Sequence, residues 1–131
     1  MSVLRVGVVG LGHLGKFHAE CYTRLAKKNP ALKLAALCDS LPAGEATARS
    51  IGAPFFNDYR QLEGKVDAVS VVVPTTYHHE VGSFFLQRGI HCLIEKPLSR
   101  TVQEAQDLVK LASQSGAVLQ VQQGSLYPAL H

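Results

Sequence analysis

A chain of 131 residues fits one domain, long enough to bury roughly two-thirds of its unfolded surface without disulfide or metal staples. With 47% hydrophobic and 18% charged residues it is excluded from the disordered class, and no apolar run approaches the length of a membrane span. The formal charge of +3 is mild, and its most visible source, Lys27, Lys28 and Lys33, flanks an expected helix end. That reads as a solvated helix terminus rather than a nucleic-acid patch.

Val3 to Val9 is a short apolar run and reads as a first strand. From His13 the period changes: Leu14, Phe17, His18, Cys21, Tyr22 and Leu25 fall at helical spacing on one face, and Asn29-Pro30 ends the helix. Leu34 to Cys38 is a second strand. Pro42 to Ile51 is a helix with proline suited to its first turn, and Gly52-Ala53-Pro54 breaks it. Phe55-Phe56 is a short third strand and Tyr59 to Leu62 a short helix. Ala68 to Val73 is apolar around Ser70 without alternation, the pattern of a parallel strand covered on both faces. Tyr77 to Arg88 is helical and stops at Gly89; His91 to Glu95 is a strand. Thr101 and Glu104 form a capping box for a helix from Val102 to Ser115, and Ala117 to Val121 is a last strand. Alternating strands and helices with short loops predict an α/β fold: a doubly wound, mostly parallel sheet with helices on both faces.

Cys21, Cys38 and Cys92 fall inside apolar stretches, form no C-x-x-C pair, and read as buried free thiols. An odd count without a signal peptide fits a reducing cytoplasm. No histidine, cysteine or acid cluster has metal-ligand spacing, so no metal is expected.

Gly10-Leu11-Gly12-His13-Leu14-Gly15 follows the first strand and opens the first helix, and Asp39 stands at the tip of the second strand. A lone G-x-G-x-x-G is weak evidence; strand, loop, helix, strand and acid together form a dinucleotide-binding βαβ unit. Gly10 permits the tight turn, Gly12 lets the backbone approach a pyrophosphate, and Gly15 lets helix and sheet pack closely. The N–H groups at the helix start face the phosphates. The Asp39 carboxylate can accept from both ribose hydroxyls and would repel a 2′-phosphate; Ser40 follows, with no arginine beside it. NAD is therefore expected over NADP.

Two further segments lie at carboxyl ends of strands, where open α/β sheets bind ligands: Pro74-Thr75-Thr76-Tyr77-His78 and Glu95-Lys96-Pro97. Lys96 is the candidate for substrate chemistry, since a cation beside a nicotinamide could hold a substrate hydroxyl as hydride leaves. A surface lysine before proline is the plainer alternative. His18, on the apolar helix face, reads as a satisfied core histidine; His79 reads as solvated and His91 as packing at a strand start.

Together Gly10-x-Gly12-x-x-Gly15, His18, Pro74-Thr75-x-x-His78 and Gly89-x-His91-x-x-x-Glu95-Lys96-Pro97-Leu98 resemble the N-terminal domain of the glucose–fructose oxidoreductase/inositol dehydrogenase (Gfo/Idh/MocA) family. The resemblance covers about residues 3 to 121. It implies an NAD(P)-dependent dehydrogenase of sugars, cyclitols or nucleotide sugars, and the run from Val71 to Leu98 resembles nucleotide-sugar members such as UDP-N-acetylglucosamine 3-dehydrogenases. By resemblance, Gly10, Gly12, His13 and Leu14 would line the pyrophosphate, and Asp39 with Ser40 would meet the adenosine ribose. Pro74, Thr75 and His78 would lie along the cofactor, Glu95 would approach the nicotinamide ribose, and Lys96, before Pro97, would touch cofactor and substrate. The Lys96–Pro97 peptide is expected to be cis.

On this reading residues 1–121 are the NAD(P)-binding Rossmann domain and 122–131 an atypical tail. The family's substrate domain, with its acid/base histidine, would be absent, and little turnover is expected from the chain alone. Leu119 to His131 resembles the recognition-helix region of PadR-type regulators, but so short a segment cannot make a winged helix, and no DNA binding is expected. A truncated gene, a fused fragment or an altered reading frame would account for the tail. A non-catalytic NAD-binding or cofactor-sensing module is the alternative function, and a methyltransferase-like nucleotide site the remote one. The expected partners are NAD(H) and, only with a second domain, a sugar-type substrate, with no nucleic acid or membrane; oligomeric state is left open.

Overall fold

A computed structural model describes residues 2–122. The tail expected at residues 122–131 therefore lies, apart from Gln122, outside the described residues. Six strands form one sheet: β1 (Leu4–Val9), β2 (Leu32–Cys38), β3 (Phe55–Phe56), β4 (Ala68–Val71), β5 (His91–Glu95) and β6 (Leu119–Gln122). Their spatial order is β3-β2-β1-β4-β5-β6, and every neighbouring pair is parallel. The order reverses between β1 and β4, which opens a crevice at the carboxyl ends of these two strands.

Four helices connect the strands: α1 (His13–Lys28), α2 (Ala43–Ile51), α3 (His78–Gln87) and α4 (Val102–Ser115). Val8 and Leu37 of the sheet pack with Ala19 of α1 and Ala48 of α2. On the other face, Val9, Val69, Val71 and Ile94 pack with Val81 and Phe85 of α3 and Leu108 of α4. Adjacent Val8 and Val9 thus serve opposite cores, as the period of two in a strand requires. Both faces being covered accounts for the uninterrupted apolar runs of β1 and β4.

The elements match the sequence reading closely, with instructive differences. On α1 the buried residues are Gly15, His18 and Ala19, while Leu25 is 52% exposed. The small side chains at 15 and 19 let the helix approach the sheet, so the contact line runs through them rather than through the larger residues. β4 ends at Val71; Val72 donates its N–H to the Val9 carbonyl and leads out toward the crevice. The segment before α3 is a single 3-10 turn, Thr75–Tyr77. At α4 the Thr101 hydroxyl accepts from the Glu104 N–H at 3.1 Å, but the Glu104 carboxylate turns to the Arg100 N–H and guanidinium instead of completing the box.

Cys21, Cys38 and Cys92 are free thiols. Burial pushes Cys38 and Cys92 up to about 12, Cys38 with added repulsion from Asp39 and Asp58, so both are held as unreactive thiols. Among the described residues no helix is long and apolar enough to cross a membrane.

Candidate functional site

β1 delivers the chain to Gly10, whose φ of +102° and close approach to Val72 exclude other residues: a Cβ there would lie 2.1 Å from the Val72 carbonyl oxygen. The loop then turns into α1 with Gly12 as the capping residue. Among the described residues no side chain caps this helix start, and its first turn carries no acid, so its leading N–H groups are open to an anion. A Cβ at Gly15 would strike the Gly10 carbonyl oxygen at 1.7 Å, so the loop is folded directly onto the first turn of the helix. A Cβ at Gly12, in contrast, would meet nothing within 4 Å among the described residues. Two glycines are thus required by the chain's own packing, whereas Gly12 faces empty space, where its lack of a side chain serves only what enters that space.

β2 ends at Asp39, and its carboxylate is already engaged. Oδ2 accepts the Leu11 N–H at 2.8 Å and Oδ1 accepts the Leu41 N–H at 2.9 Å. Each carboxylate oxygen has a second lone-pair direction for a ligand hydroxyl. Asp39 therefore ties the glycine loop to the end of β2 besides presenting charge to the crevice.

The crevice is a cavity of about 640 Å³, within the usual range for a ligand site. Of the residues singled out in the sequence, Gly10, Gly12, Asp39, Ser40 and Pro74 line it. His13 and Leu14 stand in the first turn of α1, outside that lining, as do Thr75, His78, Glu95, Lys96 and Pro97. The sequence reading missed the far wall: Asn57, Asp58, Tyr59, Arg60 and Glu80. The rule that picked out Asp39, position at the carboxyl end of a strand, applies equally to the loop after β3. Here Asp58 accepts the Arg60 backbone N–H at 2.9 Å and grips its guanidinium at 3.0 and 2.8 Å. The Arg60 guanidinium holds the Asp58 carboxyl below its usual range. Tyr59 donates its hydroxyl hydrogen to Glu80 at 2.9 Å; burial first, then Glu80, pushes that phenol up to about 12.

The Glu95–Lys96–Pro97 segment stands at the end of β5, beside the end of β4. The Lys96–Pro97 peptide is cis. Lys96 is exposed, and among the described residues no hydrogen bond or ion pair engages its ammonium, while its backbone N–H donates to the Gln122 carbonyl at 2.8 Å. His78 is 2% exposed, between the two strand-end loops. Its Nε2 lies 2.9 Å from the Val73 carbonyl oxygen, and its Nδ1 lies 2.9 Å from that of Pro97 and 3.3 Å from that of Leu98. His78 thus ties the Pro74 loop to the Lys96 loop from within. His79 is a half-buried partner of Asp107 at 2.6 Å rather than a solvated side chain, because α3 and α4 pack side by side. His91 accepts the Val118 N–H on Nδ1 at 2.9 Å, joining β5 to the edge strand.

His18 carries the interaction that the sequence could not disclose. Its Nδ1 lies 3.1 Å from the Ser70 hydroxyl, which in turn lies 2.6 Å from the Tyr22 hydroxyl, and its Nε2 lies 3.0 Å from Glu95 Oε2. Burial lowers the His18 pKa, against an upward pull from Glu95.

A glycine-cradled helix start at the switch point of a parallel sheet, with an acid at the tip of the adjacent strand, defines a dinucleotide-binding Rossmann domain. Residues 4–123 match the model of the oxidoreductase family with an NAD-binding Rossmann fold, Gfo/Idh/MocA, and the chain belongs to that family. It is 37% identical over 122 residues to UDP-N-acetylglucosamine 3-dehydrogenase of Acidithiobacillus ferrooxidans, covering 92% of this chain and 37% of that protein. The solved structure of that enzyme superposes with a TM-score of 0.83 at 36% identity, over 92% of this chain and 38% of that one. Scyllo-inositol 2-dehydrogenase (NAD(+)) of Bacillus subtilis is 31% identical, over 90% of this chain and 35% of that protein. GenD2 from gentamicin A biosynthesis, solved in complex with NAD, superposes with a TM-score of 0.82 at 27% identity, over 92% of this chain and 34% of that one. The chain thus spans little more than a third of the length of the relatives it matches. It is the nucleotide-binding domain of the family, and NAD is the family's cofactor.

Proposed function

We propose that this domain serves an NAD-dependent dehydrogenase that oxidises or reduces a CH–OH carbon of a sugar, cyclitol or nucleotide sugar. The observation that carries the reading is the cradle itself: an uncapped helix start, open space at Gly12 and the Asp39 carboxylate converge on one cavity. Gly10, Gly12, His13 and Leu14 would hold the pyrophosphate, and Asp39 with Ser40 the adenosine ribose. Pro74, Thr75 and His78 would position the middle of the cofactor, His78 through the loops it ties, and Glu95, Lys96 and Pro97 would meet the nicotinamide end. When bound, NAD supplies the hydride acceptor. Lys96 is the proposed catalytic residue: its ammonium would hold the substrate oxygen and stabilise negative charge there as the carbon–hydrogen bond breaks.

The preference for NAD over NADP has support beyond Asp39. Among the described residues Asp39, Asp58 and Glu80 line the cavity, and Arg60, the one basic side chain of that lining, is held by Asp58. A 2′-phosphate would enter a site of negative balance whose one lining cation is already paired. The nucleotide-sugar branch is favoured by the 37% identity to a UDP-N-acetylglucosamine 3-dehydrogenase. Three free thiols, two of them buried, suit the reducing cytoplasm proposed as its compartment.

Titration of the chain with NADH, NADPH and S-adenosylmethionine tests the reading. NADH should bind more tightly than NADPH; binding of S-adenosylmethionine alone would end it. Lys96→Ala should retain NADH binding. Hydride transfer, restored by a substrate domain of the family and lost in Lys96→Ala, separates the dehydrogenase from a non-catalytic cofactor-sensing module.

A further inference from the structure

We propose that His18 is a positioning residue for the nicotinamide end of the site: with its hydrogen on Nε2, it fixes the Glu95 carboxylate from the buried face of α1 and so sets the loop that carries Lys96. The inference rests on the reading that the Glu95–Lys96–Pro97 loop faces the nicotinamide.

With a neutral ring the hydrogen-bond chain has one consistent direction. The Glu95 carboxylate can only accept, so His18 Nε2 carries the hydrogen that bridges their 3.0 Å separation. In a neutral ring Nδ1 then accepts, and the Ser70 hydroxyl, 3.1 Å away, must donate to it. Having used its single hydrogen, Ser70 accepts on oxygen from the Tyr22 hydroxyl at 2.6 Å. A doubly protonated ring would run the chain the other way, with Nδ1 donating to Ser70 and Ser70 donating to the Tyr22 oxygen. The downward pull of burial on His18 agrees with the neutral form. Among the described residues, the titratable groups of this bonded chain besides the ring are Glu95 from β5 and Tyr22 from α1 itself; Ser70 from β4 does not titrate.

The order serine–histidine–carboxylate is that of a hydrolytic triad, but Ser70 lies wholly buried within β4 and no substrate can reach its oxygen. Orientation is what remains. α1 begins at the glycine loop, and β5 ends at Glu95 next to Lys96. His18 therefore couples the helix proposed to hold the pyrophosphate to the strand end proposed to meet the nicotinamide. A rigid link of this kind keeps both ends of one extended ligand in register.

The test uses the full 131-residue chain with His18→Asn and Ser70→Ala, and two probes. AMP reports the adenosine end alone, and NADH reports both ends. We expect NADH affinity to fall about tenfold in His18→Asn and less in Ser70→Ala, with AMP affinity within about twofold of wild type in both. Nitrogen-15 NMR of the wild-type ring should show the neutral form with hydrogen on Nε2 at neutral pH. Equal losses for AMP and NADH, or no loss for NADH, would overturn the positioning role; so would a doubly protonated ring or hydrogen on Nδ1. If His18→Asn fails to fold, Ser70→Ala and the tautomer decide. A wild-type chain that binds AMP but not NADH, or neither, overturns the underlying nicotinamide reading and the proposal with it.

Discussion

Asp39 Oδ2 accepts the backbone N–H of Leu11 at 2.8 Å, so the acid expected to read the ribose also fastens the glycine loop to the end of β2. Its second oxygen fastens Leu41. The two roles predict a compound effect. Asp39→Ala should abolish the preference of NADH over NADPH and also cost about 1–2 kcal/mol of stability, from lost charge-assisted bonds to the backbone. Asp39→Asn, which keeps one acceptor, should lose the preference at a smaller stability cost. Paired coenzyme titrations and urea unfolding check this; unchanged stability in Asp39→Ala would remove the loop-fastening role.

Gly12 and Gly15 should separate binding from folding. A Cβ at Gly15 would meet the Gly10 carbonyl oxygen at 1.7 Å, and backbone cannot give way there. Gly15→Ala should therefore cost about 3 kcal/mol or more, or fail to fold. At Gly12 a Cβ meets nothing within 4 Å. Gly12→Ala should keep its stability within about 1 kcal/mol, yet lose most NADH affinity, because its methyl occupies the approach to the pyrophosphate. Thermal unfolding and NADH titration of the two variants give the contrast.

Burial lowers the His18 pKa from its ordinary value of 6.5. As pH falls below that value the unfolded chain takes up a proton that the folded chain resists. More protons bound in the unfolded state means that stability rises with pH. The contribution of the buried neutral ring is thus present above about pH 6.5 and lost as pH falls through the folded-state pKa. Urea unfolding at about pH 7.5 and about pH 5.5 should show a smaller drop for His18→Asn than for wild type.

Neighbours on α4 should behave oppositely. Leu108 is wholly buried against the sheet, whereas Val109 is 56% exposed. Leu108→Ala is expected to cost about 2–5 kcal/mol. Val109→Ala should change stability by about 0.5 kcal/mol or less, since alanine also favours the helix. Urea unfolding of both variants checks the packing of this helix.

Much of this protein is determined by the sequence itself. Hydrophobic period and strand-end turns are local, so the alternation of strands and helices, the parallel sheet and the glycine loop with its answering acid are all readable from neighbours in the chain. The contact face of α1 was only partly readable: apolar spacing pointed to Leu25, whereas the small residues Gly15 and Ala19 decided which side could come close. The His78 tie between two loops and the partnership of His18 with Ser70 and Glu95 were decided only by the tertiary structure. These contacts join residues far apart in sequence that the parallel sheet brings to its carboxyl edge or into its buried centre. Hydrogen bonding at about 3 Å depends on that register, and no local pattern encodes it.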